Sequence, residues 1–147
     1  MSKKTIKFEI VTPERVVFSE EISQITLPTT TGEITILPDH IPLVSILQPG
    51  VIEIKRADNR VDVMSVSGGF VEVTRGKIVI LADTAERAEE LDEEKIEEAR
   101  RRAEDSKKNA KFVDDVQFTE VAAKLERELA RLRALNKWRK LKGTSKN

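Results

Sequence analysis

The side chains with chemistry to offer are few and unevenly placed. His40 is the single histidine, set in a loop between Pro38 and Pro42, and the chain has no cysteine. With no second His and no thiolate, neither a metal set nor a nucleophile–base pair can be assembled around it, so it reads as a structural loop residue. Glu89, Glu90, Asp92, Glu93 and Glu94 crowd together, but paired acid catalysis needs a cleft, and a solvated helix start explains them more simply. Gly68-Gly69 lies between two strand patterns, so it is a turn and not a phosphate loop. Opposed to these stand Arg127, Arg131, Arg133, Lys137 and Arg139, with Trp138 among them. Their chemistry is recognition of anions. Trp138 can stack on a base, sit at a membrane interface or pack near a helix end. An enzyme is the poorest reading of this inventory.

The elements that carry these residues change character near Asp83. All five prolines and five of the six glycines precede it, and none occurs between Asp83 and Lys142. Gly and Pro punctuate sheets and turns; their absence from a run rich in Ala, Glu, Arg, Lys and Leu favours helix. Before Asp83, Ile6, Phe8 and Ile10 alternate with Lys7 and Glu9, the period of a half-buried strand. Further runs at 16–18, 22–27, 33–37, 43–47, 51–55, 60–66, 70–74 and 77–81 make about nine strands, separated by Thr31-Gly32, Pro38-Asp39, Pro49-Gly50, Asp58-Asn59, Gly68-Gly69 and Arg75-Gly76. Such spacing without intervening helices predicts an antiparallel sandwich or flattened barrel. The fold class is therefore α+β by segregation: a β-sandwich over residues 1–84, then a two-helix antiparallel hairpin over 85–147.

In the arm, Asp92 is the expected N-cap of a first helix with a thin stripe of Ile96, Ala99, Ala103 and Ala110. A second helix is expected to start near Asp115 or Thr119 and to stop at Gly143. Its stripe is Phe118, Val121 or Ala122, Leu125, Leu129, Leu132 and Leu135. The net charge of zero conceals a division along this arm. Residues 83–105 hold 11 acids against 5 bases, and residues 124–147 hold 9 bases against 2 acids. Antiparallel packing brings these opposite charges together, though each exposed pair adds only about 0.3–0.5 kcal/mol. Such a hairpin is marginal by itself and open to a partner that offers a better surface.

Four segments in register carry a resemblance. Thr31-Gly32-Glu33-Ile34-Thr35-Ile36-Leu37-Pro38-Asp39-His40-Ile41-Pro42-Leu43, Pro49-Gly50-Val51, Ser67-Gly68-Gly69-Phe70-Val71-Glu72-Val73 and Leu81-Ala82-Asp83-Thr84-Ala85 resemble the epsilon subunit of F-type ATP synthases. The resemblance runs from Lys7 to about Leu135, sandwich first and hairpin second. It implies a non-catalytic rotor subunit of the central stalk, with the gamma subunit, the c-ring and the alpha and beta catalytic subunits as partners. In that family the sandwich couples the c-ring to gamma. The arm permits activity when folded and blocks ATP hydrolysis when extended. Gly32, Glu33 and His40 then belong to the c-ring and gamma interface, and Arg127, Arg131, Arg133, Lys137 and Arg139 to the inhibitory contact with an acidic loop of beta.

Many bacterial relatives also bind ATP through a motif of Ile or Leu, Asp, two variable residues, Arg and Ala. Here Leu91-Asp92 is kept, and Lys95-Ile96 stands in place of Arg-Ala. Lys lacks the bidentate fork of Arg, and Ile is bulkier than Ala. The resemblance implies Glu86, Asp92, Arg127 and Arg131 as the nucleotide contacts, with ATP a regulatory ligand and no cofactor required. An ATP-sensing arm of the same complex is thus one alternative. A small nucleic-acid-binding barrel with a basic helix is another, disfavoured by a sandwich with near-neutral charge and no Tyr; a coiled-coil adaptor is a third. With no leader pattern and no apolar run near 20 residues, the expected location is peripheral, on the cytoplasmic face of a bacterial plasma membrane, held through the complex and without nucleic acid.

Overall fold

The computed structural model describes residues 4–109 and 115–145. Ten strands come first: β1 (Ile6–Val11), β2 (Val16–Ile22), β3 (Gln24–Thr29), β4 (Gly32–Ile36), β5 (Leu43–Leu47), β6 (Gly50–Lys55), β7 (Val61–Val66), β8 (Gly69–Thr74), β9 (Lys77–Ala82) and β10 (Ala85–Arg87). A 3-10 turn (Ala88–Glu90) leads into two helices, α1 (Glu93–Asn109) and α2 (Asp115–Ser145). The strands form one curled sheet in the order β10-β7-β6-β3-β5-β8-β9-β1-β2, with β4 paired to β3 outside that path. The pairs are antiparallel except β1 with β9, which run parallel because the chain returns from β9 to the side of its first strand.

The inward face follows from period-two alternation. Phe8, Ile10, Ile25, Leu27, Ile52, Ile54, Ile78 and Ile80 are fully buried in one core, and the rings of Phe8 and Phe18 meet at 5.5 Å. The two sheet edges meet at Phe18. Arg56 lies 5.4 Å from its ring and Arg87 5.1 Å, and Arg56 also pairs with Glu20 of β2 at 2.6 Å. Side chains thus close a seam that has no ladder hydrogen bonds. Gly69 shows why Gly68-Gly69 is needed. Its φ is +144°, and a Cβ there would lie 2.1 Å from the Leu81 carbonyl oxygen, so the β8–β9 approach admits only glycine.

Three boundaries differ from the sequence reading. Ile22 ends β2 instead of opening the next strand, because Ser23 breaks the run and donates to the Lys55 carbonyl at 2.9 Å. The sheet continues past the expected division after Thr84. Ala85–Arg87 pairs with β7, a strand too short to show a period. Gly143 does not stop α2, which runs to Ser145; one glycine in a long helix costs only about 1 kcal/mol. The expected helix break around residues 110–114 lies outside the described residues.

The hairpin is antiparallel: Glu93 at the start of α1 meets Arg139 late in α2, and Lys107 near the end of α1 lies over Phe118. It rests on the outer face of β6 and β7. Asp92 caps α1, its Oδ1 accepting the Glu94 N–H at 3.0 Å and the Lys95 N–H at 3.4 Å.

Candidate partner interface and arm-docking site

β6 and β7 carry apolar side chains on both faces, with Glu53, Lys55 and Ser65 interspersed on the outer one. Ile52, Ile54, Met64 and Val66 point into the sandwich, while Val51, Val61 and Val63 point outward to the arm. Against them α2 lays Ala134, Trp138 and Leu141, with Ala88 and Leu91 completing the seam. Ala130 and Ala134 are wholly buried at 0% exposure. The sheet-facing stripe of α2 is thus Ala134, Trp138 and Leu141, one turn and less than one turn apart, and not the row Leu125, Leu129 and Leu132. Leu135 of that row is buried, whereas Leu125, Leu129 and Leu132 are half-buried.

Ion pairs frame this apolar seam. Arg131 binds Glu86 of β10, with its Nε 2.9 Å from Glu86 Oε1, and its Nη1 donates to Glu128 Oε1 at 2.7 Å. Lys137 meets Glu53 of β6 at 2.7 Å, and Arg139 meets Glu93 of α1 at 2.8 Å. The Arg139 guanidinium holds the Glu93 carboxyl below its ordinary range, chiefly through that hydrogen bond. The expected meeting of acidic and basic helices is therefore only part of the arrangement. Glu53 and Glu86 come from the sandwich, while Glu97 and Glu104 pair within α1 to Arg100 at 2.9 and 2.7 Å.

Of the cations expected to contact a partner, Arg131, Lys137 and Arg139 are thus engaged internally. Arg133 stays exposed, donating to the Leu129 carbonyl at 3.3 Å. Arg127 is half-buried beside Glu128, 3.9 Å away. Glu86, Asp92 and Arg131 do surround one cavity; Arg127 lines a different one, with Ala99, Arg102 and Lys124.

The opposite outward face is bare. Ile46 of β5 is registered with Phe70 of β8, and Phe70 with Leu81 of β9, so the three form one row across the sheet. Val44, two residues from Ile46, shares the face. Phe70 is 54% exposed and Val44 72%. Leu37 and Ile41, exposed in the loop after β4, carry apolar surface around His40. His40 Nδ1 lies 2.6 Å from the Ile41 carbonyl oxygen, which fixes the ring in the loop. Gly32 and Glu33 sit by the Leu47 end of β5 and His40 just before its Leu43 end, so a strand length separates them. Sequence reasoning passed over this face, although Leu43-Val44-Ser45-Ile46-Leu47 carries the signal: Val44 and Ile46 stand where a solvated face calls for polar residues.

Among the described residues, no three of His, Cys, Asp and Glu are placed to hold a metal ion, and no helix is long and apolar enough to cross a membrane. One outward face is covered by the chain's own arm and another is left open. That arrangement is a β-sandwich with one apolar outer face covered and one exposed.

The comparisons name the assembly. The family model for the beta-sandwich domain of the ATP synthase delta/epsilon chain matches residues 5–88. The chain is 43% identical to the ATP synthase epsilon chain of Herpetosiphon aurantiacus, covering 87% of this chain and 96% of that one. It is 44% identical to that of Desulforamulus reducens, covering 89% and 97%. A chain of the Euglena gracilis mitochondrial ATP synthase, solved with OSCP, F1 and c-ring, superposes with a TM-score of 0.76 at 26% identity, covering 89% of this chain and 81% of that chain. This chain belongs to the family of ATP synthase epsilon chains. The matched sandwich ends at residue 88, just past β10.

Proposed function

We propose that this chain is a non-catalytic rotor subunit that couples the c-ring to gamma in the central stalk and restrains ATP hydrolysis with its arm. The observation that carries this reading is the bare row Ile46, Phe70 and Leu81, continuous with Val44, on a sandwich whose other apolar outer face is already occupied. An apolar surface of this kind is the mark of a permanent interface. Gamma is its proposed occupant. Gly32 and Glu33, at the β3–β4 turn, and His40 face the c-ring and gamma from the two ends of β5. No membrane-spanning element is invoked; the chain sits peripherally, on the cytoplasmic face, through the complex.

The arm supplies the regulation. At about 1.5 Å per residue, the 31 residues of α2 span about 45 Å, enough to leave the sandwich and reach the catalytic head. Release frees Arg131, Lys137 and Arg139 from their internal carboxylates. With Arg127 and Arg133 they form a row of cations for an acidic surface of beta, giving specificity more than affinity.

The test is ATP hydrolysis by the matching catalytic head, reconstituted with the whole chain, with a chain ending after Ala88, and with Phe70→Glu. The cut follows Ala88 because β10 belongs to the sheet. The whole chain is expected to bind and suppress hydrolysis, the truncated chain to bind without suppressing it, and Phe70→Glu to fail to bind. Binding by Phe70→Glu as tight as by the parent overturns the docking face. Equal hydrolysis with whole and truncated chains overturns the inhibitory arm.

A further inference from the structure

The space where β10, α1 and α2 meet is where the family resemblance calls for a nucleotide, and the side chains there do not suit one. The cavity measures about 250 Å3, and its charged lining is four carboxylates, Glu86, Glu90, Asp92 and Glu128, against two cations, Lys95 and Arg131. A polyphosphate is itself multiply negative and would enter a surplus of negative charge. Apart from the Lys95 ammonium, the donors that would receive it are already used. Arg131 gives its Nε and Nη2 to Glu86 Oε1 and its Nη1 to Glu128 Oε1. The backbone N–H groups of Glu94 and Lys95 are taken by Asp92. Ile96 is buried in the hairpin and fills space that a smaller residue would leave open.

Glu128 decides what replaces the ligand. It is 4% exposed, one of its oxygens holds Arg131, and its Oε2 is buried with no hydrogen-bond partner among the described residues. A carboxylate so placed needs a cation beside it, because an unpaired buried charge is expensive. Arg131 is the cation hydrogen-bonded to it, with Arg127 farther off at 3.9 Å, and the second carboxylate of Arg131 comes from another element, Glu86 of the sandwich. We infer that this chain closes its arm without a nucleotide: Arg131, clamped between Glu86 and Glu128, is an internal latch in the space a nucleotide would use, and the site rejects polyphosphate. This rests on the rotor reading only for its biological meaning. The latch is a property of the isolated chain and is tested there, so its failure leaves the stalk assignment standing, and the reverse.

Trp138, the only tryptophan, reports arm closure because it lies in the apolar seam. The full chain is titrated with ATP, with and without Mg2+, while Trp138 emission and the thermal midpoint are followed; sodium chloride at matched ionic strength is the control. No saturable change beyond the salt control is expected up to millimolar ATP. Arg131→Gln is expected to shift Trp138 emission to the red and to speed protease cutting of α2 about tenfold, the factor that losing a charge-assisted contact implies. Glu86→Gln is expected to give a smaller effect of the same sign, because Arg131 still pairs with Glu128, and the double variant adds nothing beyond Arg131→Gln, because both act on one clamp. A backbone amide spectrum checks that the sandwich stays folded in each. Saturable ATP-dependent closure of the parent chain overturns rejection of the nucleotide. Unchanged emission and cutting in Arg131→Gln, or strict additivity in the double variant, overturns the latch.

Discussion

The outer face of β6–β7 and the outer face of β5–β8–β9 begin alike, as rows of Val, Ile, Leu and Phe on strands whose other face fills the core. They end differently. Val51, Val61 and Val63 are covered by α2, whereas Val44, Ile46, Phe70 and Leu81 are open. The covered face has carboxylates at its margins, Glu53 and Glu86, which pair with Lys137 and Arg131 of the arm. Margins of that kind give a contact that is specific and yet reversible. The open face has few charges within its row, and apolar contact is what a partner finds there. The rotor role proposed above would use both kinds, one surface that stays docked and one that can let go.

The largest expected effect destroys both faces at once. Phe8 is fully buried and meets Phe18 in the core, so Phe8→Ala removes an aromatic from the core that both faces share. The loss is about 3–5 kcal/mol, read as a lower urea midpoint with an unchanged slope. A contrast between the faces follows from one chemical change made twice. Val63→Ser, on the covered face, is expected to cost about 1–3 kcal/mol of arm docking and to raise hydrogen exchange in α2. Phe70→Ser, on the open face, is expected to stay within about 0.5 kcal/mol of the parent in unfolding and to lose binding to the stalk. Equal unfolding costs for the two would break the comparison, since Phe70 would then be a packing residue.

These two faces were not equally legible in the sequence. The strands were, because turn residues and period-two alternation fix them locally, and so were the Asp92 cap and the arm's charge division. The arm's seat was not. The leucine row Leu125, Leu129 and Leu132 reads as a hairpin or partner face, and nothing in the spacing singles out Ala134, Trp138 and Leu141, which meet the sheet. Glu53 and Glu86 gave no sign of their roles, since a carboxylate on an outer strand face normally meets water, and only the tertiary arrangement brings a cation to it. The site residues divide the same way. Glu86, Asp92 and Arg131 converge on one cavity, but Arg127 lines another, because four residues back along the helix keep it on nearly the same face while shifting it about 6 Å along the axis, away from β10. Glu128 between them was read only as charge.

A smaller effect sharpens the reversible side. The Lys137–Glu53 pair at 2.7 Å is about two-fifths exposed at the lysine, so Lys137→Ala is expected to weaken docking by about 0.2–1 kcal/mol. The same variant should lose most of its difference from the parent in molar salt, where the screening length falls to about 3 Å. A Lys137→Ala effect of undiminished size at high salt would mean that the aliphatic stem packs against the seam and that the charge is incidental.

The smallest effect concerns acid. Glu93 has its pKa held below the ordinary carboxylate range by Arg139, first through the hydrogen bond and then through the charge. A carboxyl lowered on docking binds protons more weakly in the docked arm than in the released one. Its contribution is complete at neutral pH, above the ordinary glutamate range, and fades as the pH falls through the lowered folded value. Mild acid should therefore loosen the α1–α2 contact slightly, with no change at neutral pH and above. Arg139→Gln is expected to return the Glu93 titration, followed by carboxyl chemical shift, to the ordinary glutamate range. The open face carries one carboxylate, Glu72 beside Val44, with no cation paired to it among the described residues, and should lose less stalk binding across that acid range than the arm loses docking. If acid instead weakened stalk binding as much as arm docking, the two faces would share an electrostatic element, and their division into a fixed and a releasable surface would fail.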